Sequence, residues 1–400
     1  MPAKNHDGHP DLLLAAFGLL IIAAPLAFGC VHAWGAMGLV TALFLIAALR
    51  PEIFEAAGHL PKYFARSIAA VFIYLAIQTL LISAVPQVSH SALLLWAGLA
   101  AGFLFVLSLN VQRQTLLLQI LALSGFLQSV WGMIQTLSGS ESIWWFKKIE
   151  HVGFVTATYW NRNHLAGLLE LCLGAQTGLL LAAQIRGKNV LFWLVIFSVT
   201  LFAFVLTGSR AGLASFLSAL ILTAIIFGRK FYRVAFGTAA IALMISMLAA
   251  TVRSRWEFLH SHLPSGHGRF IFWGDTFRII QDHLWTGTGL DTYRWLIPQY
   301  QSAASILGVA HAHNDYLELI SELGVPAFAM LAAAFGLALA QAISAARKIE
   351  GPAMTLAGGA ATGILAFALH GLADFNFAVP ANMFLWLVLV AIVLTKAQPA

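Results

Sequence analysis

From Val190 to Leu206 the chain reads VLFWLVIFSVTLFAFVL. It continues through Thr207-Gly208-Ser209-Arg210 into AGLASFLSALILTAIIF, from Ala211 to Phe227. Two continuous apolar runs joined by so short a turn have no place in a soluble core, whereas a helix of about 20 residues crosses the hydrocarbon of a bilayer. The runs lack the ten-residue alternation of membrane-barrel strands, so helices are expected. Working outward, similar runs fall near 12–29, 33–49, 65–84, 92–108, 115–137, 164–184, 232–250, 318–343, 353–373 and 378–395. The expected fold is thus an all-α polytopic membrane protein of about 12 transmembrane helices. It forms a single transmembrane domain over 1–400, with one large loop, 251–317, inserted between spans nine and ten.

Composition agrees: 60% of residues are hydrophobic and only 10% charged, more apolar surface than one soluble core can hide. The first run reads as a span, because Phe28 fits a lipoprotein cleavage pattern poorly. The net charge of +6 does not point to nucleic acid, since the cations are spread over alternate loops. Lys and Arg in short loops mark the cytoplasmic side. Lys4, Arg50, Lys62, Arg66, Arg113, Arg186, Lys188, Arg229, Lys230, Arg233, Arg347, Lys348 and Lys396 fall on one side. On the other side the short connections carry only Arg210, the rest lying in the long segments 138–163 and 251–317. Both termini are therefore expected in the cytoplasm and the 251–317 loop in the periplasm, folded into short helices over the bundle. Histidines gather on that outer side, only His6, His9 and His59 lying inside.

The outer segments carry the chemistry. His311-Ala-His313-Asn314-Asp315-Tyr-Leu-Glu318-Leu-Ile-Ser-Glu322-Leu-Gly324 packs imidazoles, an amide and acids at a membrane boundary, where ionisable groups are costly. Arg210 sits in a turn of small residues that would admit a phosphate, or it snorkels to the interface. Arg269 lies among aromatics, where stacking and function are equally good readings. Arg162 and His164 open the sixth span, with Asn161 or Asn163 as its cap. Both could face an outer cavity. His370 and Asp374 share a helix face and read as a plain hydrogen-bonded pair. Trp144, Trp145, Lys147 and Lys148 read as an interfacial anchor. A zinc reading of His311 and His313 with Asp315 is available, but no Cys accompanies them and no His-Glu-x-x-His pattern occurs. Cys30 and Cys172 give neither a disulfide framework nor metal-ligand spacing.

A Thr-Gly-Ser-Arg-Ala-Gly turn between spans, a large loop, then His313-Asn314 followed by nine residues and Gly324 resembles the O-antigen ligase family. That family also takes in O-antigen and exopolysaccharide polymerases and O-oligosaccharyltransferases. The likeness runs from about Tyr159 to Pro380. It implies a GT-C-like, metal-independent glycosyltransferase of the bacterial inner membrane with no cofactor. Such an enzyme moves a glycan from undecaprenyl pyrophosphate to an acceptor hydroxyl, lipid A-core in a ligase or another lipid-linked glycan in a polymerase. It further implies His313 as the catalytic residue and Arg210 with Arg269 as the pyrophosphate ligands. Arg162, His164, Asn314 and Glu318 remain candidate donor or acceptor contacts. Its partners would be the lipid-linked donor, the acceptor and the bilayer. A transporter of a small anion is the reading from another class, but the polar residues gather on one face and do not continue through mid-depth.

Overall fold

The computed structural model describes residues 12–251, 267–302 and 309–396. Lys4, His6, His9, Arg253 and Arg255, which entered the charge argument, lie outside the described residues. Among the described residues the regular structure is helical apart from a two-stranded hairpin, Ser142–Ile143 with Phe146–Lys147. Its α-helices are α1 (Leu12–Leu26), α2 (Ala33–Leu49), α3 (Lys62–Leu81), α4 (Pro86–Leu107), α5 (Val111–Leu137), α6 (Arg162–Arg186), α7 (Val190–Leu206) and α8 (Arg210–Phe227). They continue as α9 (Arg229–Thr251), α10 (His267–Asp282), α11 (Tyr293–Tyr300), α12 (Asp315–Leu323), α13 (Val325–Ala346), α14 (Pro352–His370) and α15 (Pro380–Lys396).

Among the described residues seven helices are long and apolar enough to cross a membrane, namely α3, α4, α5, α6, α8, α13 and α14. An eighth results if α2 and the 3-10 segment Pro51–His59, bent by 88°, count as one. That is fewer than the expected twelve. Helices α1, α7 and the apolar part of α15 are only 10–17 residues, and at 1.5 Å per residue they fall short of a perpendicular crossing. The run expected as one span from 318 to 343 is two helices, because Gly324 stops α12 with a φ of +76° and Pro326 opens α13.

Helices α6 and α14 form the core of the bundle, and the most apolar stretch of α6 is entirely buried. Lipid tails are as apolar as Leu, so close packing has to hold membrane helices together. Here small residues supply it. Gly174 and Gly178 on α6 face Gly359 and Gly363 on α14, so tightly that a Cβ on Gly174 would stand 2.3 Å from the Gly363 nitrogen. A Cβ on Gly359 would meet the Gly178 nitrogen at the same distance. Each helix thus contributes a Gly-x-x-x-Gly pair, the spacing that puts two glycines on one face.

The connections at one end of the bundle interlock. Trp144 Nε1 donates to the Leu26 carbonyl (3.0 Å), and the Thr158 hydroxyl to that of Pro25 (2.8 Å). The Gly287–Gly289 turn, expected as a turn, is pressed between α12 and the α3–α4 connection. The Thr288 and Gly289 amides donate to the Ser321 and Glu322 carbonyls, and the Ala84 amide donates to the Thr288 carbonyl (2.8 Å). Within the inserted segment the described residues fold into α10 and α11, as short helices were expected to, and they pack on α12.

Candidate active site at one end of the bundle

The site is built around the start of α12. Asn314 is its N-cap, with the side-chain oxygen accepting from the Tyr316 and Leu317 amides at 3.1 Å. The other half of the amide donates to the Leu372 carbonyl (3.0 Å), tying this helix to the segment after α14. Gly324 ends the helix where a Cβ would meet the Trp285 carbonyl oxygen at 2.7 Å. The His-Asn-x9-Gly pattern therefore has a physical reading. Asn caps, the nine residues are the helix itself, and Gly makes a left-handed stop against a neighbouring turn.

His313 precedes the cap in a left-handed conformation, φ +51°, uncommon for a non-glycine residue and typical of functional sites. Its ring lies 6.1 Å from that of Phe272 on α10 and edge-on to Phe375 at 4.9 Å. Nδ1 is 3.7 Å from Asp374 Oδ1, beyond a direct hydrogen bond. The His313 side chain is 32% exposed while Asp374 is fully buried, so the imidazole can meet a substrate and the carboxylate cannot. Burial alone would raise the Asp374 carboxyl, but His313, His164 and His370 around it hold it well below the usual carboxylate range.

His311 and Glu318 occupy one another. Nδ1 lies 2.7 Å from Glu318 Oε1, the other Glu318 oxygen accepts from the Ala312 amide at 2.7 Å, and the His311 ring stacks on Phe375 at 4.1 Å. Burial opposes charge on His311, yet the Glu318 carboxylate outweighs it and lifts the imidazole above its ordinary range. Asn314 and Glu318, candidate substrate contacts by sequence, are thus both engaged in shaping the loop. Asp315 accepts from the Phe377 amide at 3.1 Å, and burial pushes its carboxyl well up.

The three arginines come next. Arg162 Nη1 donates to the Gly208 carbonyl at 3.1 Å and the guanidinium lies over Phe154 at 4.0 Å, while its buried Nε has no partner among the described residues. Arg162 is within electrostatic reach of both Arg210 and Arg269. Arg210 is exposed as the first residue of α8, behind a Ser209 cap whose Oγ accepts from the Gly212 amide (3.3 Å). Arg269 is half-buried on α10, three residues before Phe272 and so on the same helix face as the ring beside His313. His164 is buried, edge-on to Phe375 at 4.5 Å, with Nε2 unpartnered among the described residues. Among the described residues no three His, Cys, Asp or Glu side chains converge as metal ligands.

Several sequence readings are corrected. His370 and Asp374 are not a hydrogen-bonded pair, since Nε2 stands 3.9 Å from Oδ2 and His370 instead places Nδ1 2.9 Å from Glu170 Oε1. Lys148 is no interfacial anchor but is buried, paired with Glu141 at 2.9 Å. The α6 cap is Asn161, which accepts from the Asn163 amide at 2.8 Å. Glu170 escaped sequence reading altogether. The signal was there, as an acid inside a transmembrane run is a functional candidate by default.

The fold and site together define a multi-pass helical membrane protein with histidine, carboxylate and arginine chemistry gathered at one end. Residues 193–332 match the family model described as O-antigen ligase. The matched segment contains Arg210, Arg269 and the His313 loop, and the resemblance expected from those motifs is borne out. The match is narrower than the expected likeness from Tyr159 to Pro380. No curated protein matches the chain.

Proposed function

We propose that this chain is a GT-C-like glycosyltransferase of the bacterial inner membrane, transferring a glycan from undecaprenyl pyrophosphate to an acceptor hydroxyl at the periplasmic face. The acceptor assigned is lipid A-core, as in an O-antigen ligase. The observation that carries the reading is a partly exposed His313, backed by Asp374, at the same end as three guanidinium groups. An alcohol is a poor nucleophile, and an imidazole can take its proton as attack proceeds. The acceptor oxygen then bonds to the anomeric carbon while the bond from that carbon to the pyrophosphate oxygen breaks. Negative charge grows on the leaving pyrophosphate, where Arg210 and Arg269 meet it. Attack opposite the leaving group gives inversion. Arg162 supports the turn that presents Arg210 and lends positive potential.

The test is glycan transfer by the purified protein from a lipid-linked donor, with His313→Ala compared at equal folded concentration. Loss of transfer is expected, and near-normal transfer would remove His313 as the base. If the deletion strain leaves long glycan chains unattached to core, the acceptor assignment stands. Single repeats attached to core would make the protein a polymerase using the same donor chemistry.

A further inference from the structure

Behind His313 the polar groups continue into the bundle, where the proposed transfer has no use for them. Glu170 on α6 and His370 at the end of α14 are both fully buried, with Oε1 and Nδ1 2.9 Å apart, and His370 Nε2 faces Asp374 Oδ2 at 3.9 Å. Asp374 Oδ1 in turn faces His313 Nδ1 at 3.7 Å. The four groups alternate carboxylate and imidazole from the interior to the exposed histidine.

Their placement follows from the helix packing. Glu170 lies four residues before Gly174, on the face that carries Gly174 and Gly178. His370 lies seven after Gly363, on the face of Gly359 and Gly363. The glycine contact thus brings carboxylate and imidazole together, and α8 closes the third side. A Cβ on Gly212 would stand 2.9 Å from Glu170 Oε1 and 3.2 Å from His370 Cε1, so only glycine leaves room two residues after Arg210. Among the described residues the charged or titratable groups facing His370 are Glu170 and His164 from α6, Asp374 from the following turn and Arg269 from α10. The Asp315 carboxylate, on α12, packs against neighbouring Gly371.

We infer that Glu170 and His370 are a buried positioning pair that keeps Asp374 ionised and directed at His313 during transfer. A carboxylate 2.9 Å from one ring nitrogen and another 3.9 Å from the other both favour the charged form of the imidazole. With Glu170 holding one side, the other side offers Asp374 a positive neighbour. An ionised Asp374 selects the His313 tautomer with the proton on Nδ1, leaves Nε2 free for the acceptor hydroxyl, and stabilises the imidazolium once the proton arrives. Removing such an orienting carboxylate from a histidine base is severe in other enzymes. The inference rests on His313 as the base.

The experiment is the pH profile of kcat for glycan transfer by the full-length protein, with the donor KM taken alongside. His370→Gln removes a positive neighbour, so the His313–Asp374 pair takes up its proton at higher pH. The acid limb should move up by about one pH unit, with activity regained on the alkaline side and the donor KM unchanged. Glu170→Gln should move it in the same direction by less. Loss by the same factor at every pH, or no loss, would overturn the positioning role. If neither variant is recovered folded, Gly212→Ala displaces the pair while keeping every charge and should give the same upward movement. An unmoved limb in folded Gly212→Ala overturns the inference. An active His313→Ala would instead bring down the base assignment beneath it.

Discussion

His313 and Arg210 differ in what surrounds them, and that difference predicts different losses. His313 is held by ring contacts and a distant carboxylate, so His313→Ala should leave the loop in place. The expected outcome is a fall of about 10²-fold or more in kcat with donor KM unchanged, measured in the transfer assay. Arg210 is exposed at the start of α8, and the proposed function gives it the pyrophosphate. Arg210→Lys keeps the charge but loses the fork that holds two phosphate oxygens, so both donor binding and kcat should drop. His311 lies outside the His-Asn-x9-Gly pattern, yet its stacking on Phe375 makes it a supporting residue of the same loop. Its imidazole is raised in the folded protein, so its stabilising contribution is fully present below the ordinary value near about 6.5. That contribution is lost as pH rises through the raised value. The stability difference between wild type and His311→Gln, followed by thermal melting in detergent, should narrow as pH rises through that window. A gap that widens instead would contradict the Glu318 pairing.

Among the elements, α12 was legible in outline and not in extent. Sequence alone merged it with α13, because an apolar run gives no sign that Gly324 folds back against Trp285 and Gly287. The Asn cap and the nine-residue spacing were visible in the letters, but their meaning depended on the turn at 285–289, far away in the chain. Gly324→Ala should therefore be worse than loss of conformational freedom suggests. Positive φ and the clash with the Trp285 carbonyl together should destabilise by about 1–3 kcal/mol, with transfer falling as the loop shifts. Wild-type melting and activity in that variant would refute the account. The glycine pairs of α6 and α14 went unread for another reason: Gly-x-x-x-Gly is visible in each helix, but which two helices meet is a property of the folded bundle. Arg210, Arg269 and His313 could be singled out by pattern as candidates, whereas Glu170 was hidden in a run whose hydropathy barely registers one acid.

On the scale of the whole molecule, apolar periodicity identified a helical membrane protein because hydrocarbon leaves a chain few other choices. Twelve crossings were expected and seven helices among the described residues have the length for one, because hydropathy marks an apolar run without giving the length of its helix. Reporter fusions at the C-terminus and in the inserted segment test the expected sidedness. Cytoplasmic signal from the first and periplasmic signal from the second are expected, and the reverse would place the site on the wrong face. Purified protein should also keep its transfer activity in excess chelator. Loss of turnover that zinc, magnesium or manganese restores would recast His311 and His313 as ligands. The contact of Gly174 and Gly178 with Gly359 and Gly363 carries a consequence for biogenesis. The two halves of the buried pair, Glu170 and His370, are made 200 residues apart in the chain and meet only when those backbones touch. A nascent protein that has inserted its early helices but not its late ones already owns Arg210 and lacks a supported base. On the proposed function, such an intermediate would bind a donor lipid without spending it, and the order of assembly would act as a safety catch.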